Sequence, residues 1–181
     1  MQIKDLPTER HTLSITVANE PGVLARIAGM FTARGYNIES LTVADISDAH
    51  RISRITIVTN GTPHVIEQIV AQLDRMVPVF SVTDLTLGAH FERELALIKL
   101  MTAPGQHDQA LALAEDAHAQ VIDTAERSFV FELTATSTKI DSFVEAVAAI
   151  GMVEVARTGI VAIARDKTGG EPPRAPAKAG A

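Results

Sequence analysis

The chain has 181 residues, 46% hydrophobic and 21% charged, with neither Cys nor Trp. Lack of Cys excludes a disulfide framework, a zinc–thiolate site, an iron–sulfur cluster and a cysteine nucleophile, and a net charge of −6 argues against general nucleic-acid or anionic-membrane binding. The hydrophobic fraction is enough for a core, which with aromatics at 4% must be built from Val, Ile, Leu and Ala.

In chain order, Met1–Arg10 lacks the apolar run of a secretory signal, and no stretch reaches the roughly 18 apolar residues of a membrane span. The expectation is a soluble, cytoplasmic protein. His11–Ala18 alternates with apolar Leu13, Ile15 and Val17, which predicts a half-buried strand. Asn19-Glu20-Pro21-Gly22 follows as a turn, then Val23, Leu24, Ile27, Ala28 and Phe31 at helical spacing, with Arg34-Gly35 as the stop. Tyr36–Ile46 and Arg51–Thr59 read as a hairpin around the loop 47–50. Thr62-Pro63 opens a second helix, with Val65, Ile66, Ile69, Val70 and Leu73 as its stripe. Pro78–Leu87 is the last strand of this unit.

The order then repeats. Glu94–Met101 is a strand, Pro104-Gly105 a turn and Gln106–His118 an Ala/Leu helix. Strands follow at Gln120–Thr124 and Arg127–Ala135, then a helix over Thr138–Ile150 whose Thr138-x-x-Asp141 reads as a capping box. Val153–Ala164 closes the sheet. Pro21-Gly22 and Pro104-Gly105 are 83 residues apart, and the same offset carries Asn37-Ile38-Glu39-Ser40 onto Gln120-Val121-Ile122-Asp123. The expectation is an α+β protein of two ferredoxin-like βαββαβ domains, 10–87 and 92–165, with antiparallel sheets and helices on one face. Residues 166–181 have no large apolar side chain and read as a disordered tail of net charge +1, which leaves the rest at −7.

Catalytic patterns are missing. The six His residues form no HExxH or other metal spacing, and no GxSxG, Walker loop or GxGxxG is present. The acids Asp45, Asp84 and Glu154 show no acid/base partner and read as surface or strand-edge residues, and the His residues as solvated or capping. Nucleic-acid-binding versions of this topology stack bases on exposed sheet aromatics, and Arg51–Thr59 has none.

Asn19-Glu20-Pro21-Gly22-Val23-Leu24 carries the most chemistry. A Pro-Gly turn at a helix start offers backbone N–H groups and the positive helix end to an anion such as a carboxylate. Gly22 allows close approach. Asn19 can accept from an ammonium group, Asn37 adds a second amide, and Leu24 and Ile38 can form an apolar wall. Together these would suit a free amino acid; an ordinary Pro-Gly turn flanked by Asn is the plainer account of the same residues.

The strand–Pro-Gly–helix pattern resembles an ACT domain. Residues 11–43 are similar to the start of the regulatory small subunit of acetolactate synthase (acetohydroxyacid synthase), most of all at Arg34-Gly35-Tyr36-Asn37-Ile38-Glu39-Ser40-Leu41, and segments 93–100 and 153–165 resemble later parts in order. The resemblance implies a non-catalytic chain that binds and activates a separate catalytic subunit. That partner would use thiamine diphosphate, Mg²⁺ and FAD; no cofactor or metal is expected on this chain. It also implies feedback inhibition by valine or another branched-chain amino acid in valine, leucine and isoleucine synthesis. The effector site carried over is Asn19, Gly22, Val23, Leu24, Asn37 and Ile38, at the interface of a homodimer of ACT domains. Many ACT domains have Asp where this chain has Asn19, so here a neutral group would meet the ammonium. A stand-alone ACT-domain sensor is the alternative.

Overall fold

In the computed structural model, residues 7–47, 51–103 and 105–165 are described. The tail expected at 166–181, residues 48–50 of the hairpin loop and Pro104 lie outside them. The chain forms two compact units, one of described residues 7–91 with 162–165 and one of 92–161.

The first unit runs β1 (Glu9–Ala18), α1 (Val23–Ala33), β2 (Ser40–Ser47), β3 (Ile52–Gly61), α2 (Pro63–Asp74) and β4 (Val79–Asp84), then a 3₁₀ turn at Leu85–Leu87. Its sheet is antiparallel in the order β2-β3-β1-β4. Alternation along β1 and β3 turns Leu13, Ile15, Val17, Ile55 and Ile57 into one core with Val23, Ile27 and Phe31 of α1 and Ile66, Ile69 and Leu73 of α2. Each helical set recurs every three or four residues, so one stripe faces the sheet.

Helix α1 stops for an identifiable reason. Gly35 takes φ +71, and the N–H groups of Gly35 and Tyr36 donate to the carbonyls of Thr32 and Phe31 at 3.2 and 3.0 Å. This is a Schellman motif, and its hydrophobic contact is the edge-on packing of Phe31 and Tyr36, centroids 6.1 Å apart. The chain therefore leaves the helix before pairing, and β2 begins at Ser40 rather than at Tyr36. The strand expected over 78–87 is likewise shorter: it ends at Asp84, whose carboxylate accepts from the Thr86 N–H and winds 85–87 into the 3₁₀ turn.

The second unit contains most of β5 (His90–Thr102), then α3 (His107–Ala117), β6 (Gln120–Ala125), β7 (Ser128–Ala135), α4 (Ser137–Ala148) and β8 (Gly151–Arg157). Its sheet order is β6-β7-β5-β8, and β9 (Val161–Ala164) pairs separately with β5. The single closing strand expected over 153–164 is thus two strands, parted at Thr158–Ile160, where the Thr158 N–H donates to the Leu95 carbonyl and Gly159 takes φ +81. Ile98, Leu100, Phe129, Phe131, Ile140, Phe143 and Val147 fill its core.

The capping box expected at Thr138 does not form. The N-cap is Thr136, and Asp141 instead accepts from Arg157 at 2.6 Å. Arg157 also lies 3.7 Å from the buried Glu94 carboxylate, which accepts from Ser137 Oγ at 3.0 Å. This network holds the start of α4 against β5 and β8.

Gly151, the residue after the helix expected over Thr138–Ile150, opens β8 opposite Thr102. A Cβ there would sit 2.2 Å from the Met101 carbonyl oxygen and 2.9 Å from Leu100 Cδ1. Gly151→Ala must therefore push two strands apart and is expected to cost about 1–3 kcal/mol, the range for overpacking; urea unfolding of the full chain measures it.

Candidate effector site

Strand β1 ends at Ala18, and Asn19–Gly22 turns the chain into α1. The Asn19 N–H donates to the Arg51 carbonyl at 2.6 Å, and Arg51 takes φ +50, a left-handed conformation uncommon for a side-chain-bearing residue. The Asn19 side chain is exposed but engaged: Nδ2 donates to Asp45 Oδ1 at 2.8 Å, and the same oxygen accepts from Ser53 Oγ at 2.6 Å. Asp45 faces Ser53 in register, Ser53 faces Val17, and β2 has a register shift between Asp45 and Ser47.

Gly22 occupies the N-cap of α1 at φ +85, ψ −5, without a side-chain cap, and the first turn contains no acidic residue. The Arg26 N–H returns to the Gly22 carbonyl at 3.0 Å, and the Val23 N–H reaches the Glu20 carbonyl at 3.4 Å. The positive end of α1 thus carries no carboxylate of its own. A Cβ on Gly22 would meet nothing within 4 Å, so the space over the turn is open.

The equivalent turn in the second unit differs. Gly105 is also left-handed, at φ +92, but Gln106 Oε1 accepts from the Ala103 N–H at 3.0 Å and Asp108 stands in the first turn of α3. This helix start supplies its own negative group. The anion-receptive version belongs to the first unit.

The six sequence-selected residues are not all together. Val23 is 3% exposed and its side chain belongs to the core, so it can contribute only backbone. Leu24 is 40% exposed beside the turn. Ile38 packs partly against the core, and the Asn37 carbonyl accepts from Thr59 Oγ1 at 2.6 Å. Thr59 pairs with His11, whereas Ile52, next to the Arg51 that holds Asn19, pairs with Ala18. Seven residues of extended strand separate these ends, about 23 Å. Asn37 and Ile38 therefore stand at one end of the sheet, and Asn19, Gly22 and Leu24 at the other.

Sequence reasoning missed Asp45 and Ser53. An acid in an alternating strand gives no local sign of a partner 26 residues earlier. It also misjudged His11 and Asp84: they form a buried pair, Nδ1 to Oδ2 at 2.7 Å, with each side chain 7% exposed. Among the described residues no group of three or more His, Cys, Asp or Glu could hold a metal, and no helix is long and apolar enough to cross a membrane.

Comparison with known proteins decides the family. Residues 13–81 match the model of the AHAS small subunit-like ACT domain, and 93–166 that of the small subunit of acetolactate synthase. The acetolactate synthase isozyme 3 small subunit of Escherichia coli K12 is 41% identical over 157 residues, 86% of this chain and 96% of that protein. The chain belongs to the acetolactate synthase small-subunit family. The probable small subunit of Archaeoglobus fulgidus is 38% identical across 86% of this chain and 97% of its own length. The crystal structure of the Thermotoga maritima small subunit superposes with a TM-score of 0.76 at 34% identity, covering 87% of this chain and 98% of that one. These matches span both units, so the second is as much a part of the family's protein as the ACT domain.

Thr59 is fully buried, and its hydroxyl anchors the segment bearing Asn37. Thr59→Val keeps the shape and removes that bond. The expected loss is about 1 kcal/mol, the net worth of one such bond, since the exposed Asn37 can turn to water; urea unfolding checks it.

Proposed function

We propose that this chain is the regulatory partner of acetolactate synthase. It binds a separate catalytic subunit that carries thiamine diphosphate, Mg²⁺ and FAD, raises its activity and makes it answer to valine. Family membership over both units supports the partnership. The start of α1 supports the effector: an uncapped helix end, an open left-handed glycine and no acid in the first turn suit a ligand carboxylate.

In this reading valine sets its carboxylate on the backbone amides of residues 22–24. Its ammonium donates to Asn19 Oδ1, and its aliphatic group lies against Leu24. Asn37 and Ile38 come from a second copy of the chain, because roughly 23 Å of strand keeps them from Asn19 within one copy. The edge supports such a pairing. Strand β2 is an outer strand of its sheet, with Val43 and Ile46 44% and 40% exposed. An outer strand presents unpaired main-chain groups to a neighbour. Antiparallel pairing of two such edges through a twofold axis would bring residues 37–40 of one copy towards the 45–47 end of the other. A ligand between copies biases their arrangement, and this is the linkage that feedback inhibition needs.

Gly22→Asp places a carboxylate where the ligand's own would sit. Valine binding is expected to weaken by about 2 kcal/mol or more, roughly thirtyfold in Kd. Calorimetry on the folded variant and valine inhibition of the reconstituted holoenzyme measure it. Retained full inhibition would place the effector elsewhere.

A mixed dimer separates a shared site from a site within one chain. With one copy Asn19→Ala and the other Asn37→Ala, a shared arrangement leaves one of two sites intact and one doubly altered. Calorimetric stoichiometry should then be half that of the wild-type dimer at unchanged affinity. Two equally weakened sites would show that both residues act from the same chain.

A further inference from the structure

A neutral Asn19 is a modest receptor for a fully charged ammonium group. We infer that Asp45 is the positioning residue that makes Asn19 an ammonium acceptor, and that it thereby sets the preference of the site for amino acids over carboxylic acids of the same shape. This rests on the effector reading above and adds a residue to it.

The geometry carries the inference. A carboxylate only accepts hydrogen bonds, so the Asn19 NH₂ must face Asp45, at 2.8 Å, and its Oδ1 must point away from it. The orientation of the amide is therefore dictated by the partner. Asp45 in turn cannot swing freely, because the same Oδ1 accepts from Ser53 Oγ at 2.6 Å and Ser53 is only 5% exposed. The backbone of Asn19 is held as well, by the 2.6 Å bond to the Arg51 carbonyl.

Two backbone irregularities meet at this corner: the register shift of β2 between Asp45 and Ser47, and the left-handed Arg51. Bulges re-aim side chains and left-handed non-glycine residues cost energy, and both concentrate where a side chain must be placed for a task. Exposed polar pairs contribute little to stability, so stability alone does not account for the arrangement. An amide whose N–H donates to a carboxylate is also polarised, which makes its oxygen a stronger acceptor.

The test uses the full chain and two ligands, L-valine and 3-methyl-2-oxobutanoate, which keeps the carboxylate and the isopropyl group but has no ammonium. Calorimetry on Asp45→Asn and Ser53→Ala should show valine binding weakened about tenfold or more for Asp45→Asn, the scale of one charge-assisted bond, and less for Ser53→Ala. Binding of the oxo acid should be unchanged in Asp45→Asn. The Asn19→Ala/Asp45→Asn double variant should bind valine as Asn19→Ala does, because Asp45 acts through Asn19. A spectroscopic readout stands apart from affinity: the Asn19 side-chain NH₂ resonances should move in Asp45→Asn without ligand, with thermal midpoints within about 2 °C of wild type. Valine affinity unchanged in Asp45→Asn, or losses that multiply in the double variant, would overturn the inference while leaving the effector reading intact. A wild-type chain that binds no valine would overturn the effector reading and this inference with it.

Discussion

The ten-residue antiparallel pairing of β1 with β3, from Glu9 opposite Gly61 to Ala18 opposite Ile52, sets the position of nearly everything that matters in the first unit. Side chains alternate along it, so this register selects Leu13, Ile15, Val17, Ile55 and Ile57 for the face covered by helices. A slip by one residue would turn that set to the other face, and burial of the isoleucines holds the register against it. The same ladder fixes two distant ends. Arg51 and Ser53 sit beside the turn that leads into α1, and Thr59 sits beside the segment that leads into β2. Asn19 is tied to one end by its bonds to the Arg51 carbonyl and to Asp45, which Ser53 of β3 holds, and Asn37 to the other by Thr59.

The chain uses one topology twice and gives the copies different chemistry. Both units place a left-handed glycine before the first helix, Gly22 at φ +85 and Gly105 at φ +92. At α1 nothing follows to neutralise the helix end. At α3, Asp108 does so and Gln106 closes the turn. Fold and backbone conformation are therefore shared by the two turns, and what separates them is the first-turn acid and the Gln106 side chain.

Polar residues in the first unit are organised in pairs that cross long stretches of sequence. His11 and Asp84 lie 73 residues apart and close the far ends of β1 and β4, while Asp84 also winds the 3₁₀ turn after it. Asn19 and Asp45 lie 26 apart and join the turn before α1 to the edge strand. The first pair is buried and belongs to the architecture. The second is exposed, at the outer strand of the sheet.

Much of this protein was legible from its sequence. Alternation of period two and apolar stripes of period 3.6 are local patterns, so eight strands, four helices and the doubled order could be read without coordinates. So could the turn at Asn19–Gly22, because Pro-Gly before a helical stripe is a local signal, and the family, because its motifs lie in continuous segments. Boundaries were less legible. Tyr36 sits in a capping motif rather than a strand because Phe31 packs against it, and Val153–Ala164 breaks because Thr158 bonds to Leu95, a contact 63 residues away. Tertiary structure alone decided that Asn37 and Asn19 stand at opposite ends of one sheet, and that Asp45 and Ser53 complete the corner at Asn19. The physical reason is the same in each case: a hydrogen bond between residues far apart in the chain depends on strand register, and register is set by which faces the whole core can bury.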